Sequence, residues 1–147
     1  MRRVCKVFVL LNLLLSLVTY CFAAPQDTII GNWEGDIDLC LGLPHVKEQL
    51  EMESPEDKEA IVSYLDILHS IIKMEITKDT ITIDVGRPEK ETANYTVTDS
   101  TDNKVYITIL EETNDEMILE IVDEDHIIVH EVNGFVVTVA FCLKRVE

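Results

Sequence analysis

Four histidines could transfer protons or bind a metal ion in this chain of 147 residues. His126 and His130 lie four residues apart in a predicted strand, which separates them by about 13 Å and prevents them from sharing one ion. His45 and His69 lie in a predicted helical segment, with no ligand-like spacing around them. We therefore expect no metal site and no cofactor.

Sequence motifs of known catalytic machinery are not found in residues 24–147. This portion has no nucleophile elbow, HExxH, paired CxxC or glycine-rich phosphate loop. The carboxylates of Glu34, Asp36 and Asp38 alternate along a predicted strand and would face solvent. Other acidic runs read as solvated turns and lack the EF-hand pattern. We expect a protein that is not an enzyme.

Residues 1–23 have the pattern of a cleavable signal peptide. A basic start precedes an apolar stretch from Val7 to Val18, and small residues favour cleavage after Ala23. The apolar stretch is too short for a comfortable membrane span. We expect export to the periplasm or the cell exterior, no stable membrane anchor, and a mature domain of residues 24–147.

The mature portion is strongly acidic. It contains nine of the twelve basic residues and all 28 acidic residues, which gives a net charge of −19. Nucleic acid is excluded as a partner, since such binding depends on Lys and Arg that neutralise phosphate. The acidity serves either solubility or the recognition of a cationic protein.

Alternation of apolar and polar residues predicts strands along most of the mature portion. The first runs from Trp33 to Leu41, with its apolar face buried. A hairpin about Lys78-Asp79 would set Ile76 against Ile81. Eight short strands result, and we predict an all-β fold, a small up-and-down antiparallel barrel.

The same alternation predicts the registers of the later hairpins. Tyr95 is expected opposite Ile107, and Met117 opposite Ile109. A two-residue turn at Asn133-Gly134 would turn His126 and His130 into the barrel. A one-residue bulge would instead bury the two residues Ile127 and Val129 and leave both histidines outside, and the sequence leaves these alternatives open.

One amphipathic helix interrupts the strands, inserted between the first and the second. Ser54 is a capping residue before Pro55, and apolar residues follow at helical spacing to about Lys73. The open end of the barrel is the nearest apolar surface for this helix. The helix either plugs that end as core or acts as a movable ligand gate.

The two ends of the mature chain predict how the barrel closes. If the first and last strands pair antiparallel, Trp33 near Gly31 meets Arg145, and the indole and guanidinium could stack. The Gly31-x-Trp33 pattern, the meander and Lys144-Arg145 together resemble the lipocalin and calycin-like barrels, most closely small secreted bacterial lipocalin-like proteins. This resemblance implies an exported eight-stranded barrel in which Gly31, Trp33 and Arg145 are structural, and it implies no particular ligand.

Cys40 and Cys142 remain after the predicted leader is removed, both at outward positions of neighbouring strands. Export permits a disulfide between them. With Trp33 opposite Arg145, however, Cys40 would lie about 13 Å along the strand from Cys142. A disulfide needs Cα atoms within about 7 Å. The sequence therefore leaves open a disulfide, which requires the first strand to bend or slip, and two free thiols.

The predicted interior is almost entirely apolar, so a ligand inside it would be a lipid or another small hydrophobic molecule. Short strands favour a filled barrel over a cavity. Two functions remain open for a protein that we expect to be monomeric: binding of a small apolar ligand, or docking of a filled, acidic inhibitor-like module to a cationic secreted protein. The residues expected to contact a ligand are Tyr95, Ile107, Leu119, Val139, Leu65 and Leu68.

Overall fold

The computed structural model describes residues 24–110, 115–132 and 140–147, without the side chains of 131 and 132. Within these residues, eight antiparallel strands close a barrel in chain order. The strands are β1 (Gly31–Gly35), β2 (Lys73–Ile76), β3 (Thr80–Asp84), β4 (Glu91–Ser100), β5 (Lys104–Ile109), β6 (Glu116–Ile121), β7 (His126–Val132) and β8 (Phe141–Val146). The helices are α1 (Pro25–Thr28), α2 (Ile37–Gly42), α3 (Pro44–Met52) and α4 (Pro55–Ile71). The predicted all-β up-and-down barrel is confirmed.

Three parts of the sequence prediction fall outside the described residues. They are the leader at residues 1–23, the Asn133-Gly134 turn and Val139. In the part of the chain that the structure describes, no helix is both long and apolar enough to span a membrane.

The first strand is shorter than its alternation predicts. It ends at Gly35, and the segment read as its second half is the helix α2. The carboxylate of Asp36 accepts a hydrogen bond from the Leu39 amide at 3.1 Å and so caps this helix. Ile37 and Leu39, expected inside the barrel, instead pack outside it around Cys40.

Strand registers are correct in the β2–β3 hairpin and shifted in the β4–β5 and β5–β6 pairs. Ile76 lies opposite Ile81 as predicted. Tyr95, however, pairs with Ile109, and Met117 pairs with Ile107, so both predicted pairings are wrong by two residues. The shift of Tyr95 follows from a bulge in β4 and from a β4–β5 turn that is shorter than predicted. A shift of two preserves the inward face, which explains why the core is still apolar.

The two strand histidines lie outside the barrel. Ile127 and Val129 are in the core, so they face inward as the bulged alternative predicts, while the β7–β8 turn lies outside the described residues. His126 Nδ1 contacts Asp123 at 2.8 Å, and His130 Nε2 contacts Glu120 at 2.7 Å. Both imidazoles therefore have carboxylate partners on the outer surface.

At the lower end of the barrel, the first and last strands pair antiparallel, as predicted. Trp33 lies opposite Arg145, and the guanidinium carbon is 4.4 Å from the indole centroid. Arg145 also donates hydrogen bonds to the carbonyls of Thr28 at 2.6 Å and Ile30 at 2.8 Å. A side chain at Gly31 would collide with Arg145. The arginine thus fixes the segment that carries α1 beneath the barrel.

The upper end, where β1 ends and β2 begins, is the side from which α2, α3 and α4 project. The helix α4 begins at the predicted cap, since Ser54 Oγ accepts from the Asp57 amide at 3.2 Å. Its Leu65 and His69 are buried. The helix is therefore packed against the barrel along one side.

Removal of the α4 cap is the first testable change. We expect Ser54→Ala to lower the free energy of unfolding by about 1 kcal/mol, because the Asp57 amide loses its acceptor. Urea denaturation followed by circular dichroism measures the loss. Ser63→Ala, at an exposed position within α4, is the matched control and should change stability little. Equal effects of the two substitutions would show that the cap does not stabilise α4.

Candidate functional sites

A cavity of about 370 Å³ lies inside the upper half of the barrel. Ten of its fourteen lining residues are apolar. They lie on strands β2 to β8 or next to the ends of these strands, and include Met74, Ile83, Ala93, Ile109, Met117 and Phe141. The volume falls in the range of about 300–1,000 Å³ that is usual for small-molecule sites. Among the described residues, side chains fill the lower half of the barrel and leave this cavity in the upper half.

The charged residues of the cavity wall are Arg87, Glu89, Glu91 and Asp115. Arg87 forms an exposed ion pair with Glu91 at 3.7 Å. Three carboxylates and one guanidinium give these wall positions a net negative charge. A ligand would meet apolar side chains over most of its surface and a negative field at these four positions.

The residues predicted to contact a ligand lie elsewhere. Tyr95, Ile107 and Leu119 belong to the buried core, and the Tyr95 hydroxyl donates to the Thr77 carbonyl at 2.7 Å near the lower end. Leu65 and Leu68 lie on α4. None of these five lines the cavity, and Val139 is outside the described residues.

A second site lies on the outer wall at the upper end. It consists of Cys40 from α2, His69 from the last turn of α4, and Cys142 from β8, called here the Cys-His-Cys cluster. The two sulfurs and an imidazole nitrogen all lie within 4.8 Å of one another. Cys40 and Cys142 are 0% exposed and His69 is 3% exposed. Both cysteines are free thiols.

Local backbone features bring these three residues together. The Asp36 amide donates to the Cys142 carbonyl at 2.8 Å, and α2 then turns Cys40 back over β8. The Gly35 amide donates to the Ile72 carbonyl at 3.1 Å. A side chain at Gly35 would collide with the His69 backbone, so glycine is required for this close approach.

The imidazole of His69 is held in one orientation. Its Nδ1 lies 2.8 Å from the Leu65 carbonyl, to which it donates, and its ring packs edge-on against Phe141 at a centroid distance of 6.4 Å. Nε2 then carries a lone pair. Among the described residues this buried Nε2 has no hydrogen-bond partner. A buried, unpaired polar atom is rare in folded proteins and suggests an interaction with something else.

The electrostatics of the cluster favour one ionised thiol. A hydrogen bond from Cys142 lowers the pKa of Cys40 despite burial, and His69 contributes in the same direction. The same hydrogen bond, together with burial, raises the pKa of Cys142. Burial lowers the pKa of His69, but the nearby Cys40 sulfur and the hydrogen bond to the Leu65 carbonyl outweigh it, so the net shift is upward. Such a cluster can form a disulfide or bind a metal ion, while its burial excludes a substrate from Cys40.

Sequence reasoning missed this cluster. The expected separation of the cysteines by several strand positions was wrong, because β1 ends at Gly35 and Cys40 lies on a helix. One sequence feature could have indicated a buried histidine here. His69 follows Leu65 by four residues and therefore lies on the same, buried side of α4. Comparison of the chain with family models, curated proteins and solved structures found no match in any of the three.

Proposed function

We propose that this chain is an exported, lipocalin-like binding protein that holds one small apolar ligand in the upper half of its barrel. The cavity of about 370 Å³ carries this proposal. Its apolar wall excludes a highly polar metabolite, because the polar groups of such a ligand would lose their hydrogen bonds to water. The predicted leader supports export, and the closure by Gly31, Trp33 and Arg145 supports the lipocalin-like class.

The charges on the wall narrow the ligand class. The exposed carboxylates of Glu89 and Glu91 outnumber the guanidinium of Arg87, so a carboxylate on the ligand would be repelled at these positions. A neutral or cationic polar end is favoured instead. We expect a primary alcohol or amine with an alkyl chain to bind more tightly than the carboxylate of the same chain length.

Uptake of alkyl ligands by a delipidated sample tests this function. Calorimetric titration compares an alcohol, an amine and a carboxylate of equal chain length. The alcohol and the amine should bind saturably and more tightly than the carboxylate. Thermal stability should rise with ligand concentration, because only the folded state binds. If no alkyl ligand binds or raises the melting temperature, docking of the acidic surface to a cationic protein becomes the better proposal.

A cavity-filling substitution links uptake to the cavity. Ala93 lines the cavity, and Ala93→Trp should weaken binding at least about tenfold, or about 1.4 kcal/mol, by occupying the ligand volume. Thr96→Trp is the matched control, since Thr96 is exposed on the same strand. Circular dichroism checks that both variants fold. Equal binding by Ala93→Trp and the wild type would place the ligand outside the cavity.

A further inference from the structure

We propose that the Cys-His-Cys cluster binds a zinc ion through Cys40 Sγ, Cys142 Sγ and His69 Nε2. This inference concerns a site outside the barrel cavity and does not depend on the proposed ligand. Two thiolates and one imidazole form a donor set that zinc prefers, because the ion is borderline soft and binds sulfur and nitrogen readily.

The spacing of the three atoms fits one tetrahedral ion. Bond lengths of about 2.3 Å to sulfur and 2.1 Å to nitrogen place neighbouring ligand atoms roughly 3.5–3.8 Å apart. The cluster's three atoms lie within 4.8 Å of one another. An ion between them therefore requires only small side-chain adjustments, and a fourth donor such as water would complete its coordination.

The environment of His69 distinguishes zinc from a disulfide. Metal-bound histidines usually donate their other ring N–H to a carbonyl or carboxylate, which fixes the tautomer. His69 has this arrangement, with Nδ1 on the Leu65 carbonyl and Nε2 left toward the two sulfurs. A disulfide would use both cysteines but leave the buried Nε2 unpaired. A zinc ion accounts for all three residues.

Binding would have a structural consequence. Cys40, His69 and Cys142 lie on α2, α4 and β8, so one ion would link three elements at the upper end. The cysteines bind as thiolates and release their protons to solvent, while His69 keeps its Nδ1 proton. Since all three residues are buried, the ion should resist a chelator in the native protein and be released on denaturation.

Metal content of the full exported chain tests the inference. The protein is purified without chelator or reductant from medium containing zinc, and metal is measured by mass spectrometry after dialysis. We expect one zinc per chain in the wild type, and at least about tenfold less in His69→Gln and Cys142→Ser. His130→Ala is the control, because His130 contacts Glu120 on the outer surface. It should keep its zinc.

Cobalt substitution keeps the inference testable if a variant fails to fold. The wild-type protein loaded with Co²⁺ should show a thiolate-to-cobalt charge-transfer band and the intense visible bands of a tetrahedral site. Absence of these bands in wild-type protein with two reactive thiols would overturn the inference. Metal-free protein without reactive thiols in denaturant would also overturn it, and would assign a Cys40–Cys142 disulfide instead.

Discussion

Trp33→Ala is expected to lower the free energy of unfolding by about 3–5 kcal/mol, since it removes a large buried side chain from the lower core. Trp33 is 1% exposed and donates from Nε1 to the Ile29 carbonyl at 2.9 Å. The substitution therefore creates a cavity and leaves a buried carbonyl without its donor. Urea denaturation followed by circular dichroism measures the loss. Tryptophan fluorescence cannot be used, because the substitution removes the single tryptophan of the chain.

Arg145→Ala completes a double-mutant cycle with this change. Arg145 stacks on Trp33 at 4.4 Å, and each side chain supports the other, so the double variant should lose less than the sum of the single losses. Arg87→Ala is the matched control, because Arg87 is exposed and has only a surface ion pair. Strictly additive losses for Trp33 and Arg145 would contradict a stabilising stack at the lower end.

Gly35→Ala is expected to have the second large effect, a loss of about 3 kcal/mol, at the upper limit usual for overpacking. The added Cβ would collide with the His69 backbone, which cannot move as a flexible side chain could. The end of β1 and the end of α4 must therefore separate. His69 and Ile72, which lines the cavity, would be displaced together. Denaturation and ligand titration of the same sample measure both effects.

Gly42→Ala provides the control for this substitution. A Cβ at Gly42 meets no atom within 4 Å, so stability should change little. Both substitutions add one methyl group, and of the two only the methyl group at Gly35 collides with backbone. If Gly35→Ala were as stable as Gly42→Ala, the close approach of β1 to α4 would not exist in solution.

Much of the barrel could be predicted from sequence because its signals are local. Tight turns fix register, which is why Ile76 and Ile81 pair as expected, and alternation fixes which face is buried. The Trp33–Arg145 contact followed from antiparallel pairing of the terminal strands. The β4–β5 register was wrong, because the turn is shorter than the loop that the sequence indicates and because a bulge such as the one in β4 leaves no distinct sequence pattern.

The Cys-His-Cys cluster could not be predicted for a different reason. Ile37 to Leu41 satisfies both the strand and the helix periodicity, and so short an apolar segment does not distinguish them. Asp36 favours the helix, because its carboxylate caps the first turn through a hydrogen bond from the Leu39 amide. The apolar–polar alternation gives no sign of this hydrogen bond. The three residues are also remote in sequence, so no spacing motif joins them. The cavity was hidden because its wall depends on the register of every strand.

Native mass spectrometry of the freshly purified protein tests whether the barrel binds a ligand. We expect the wild-type chain to carry one co-purified apolar molecule, which dissociates at higher collision energy and has a neutral or cationic polar end. Ala93→Trp should lose this adduct and Thr96→Trp should retain it. A wild-type chain that is free of adducts, and that remains so after incubation with alkyl alcohols and amines, would contradict the account.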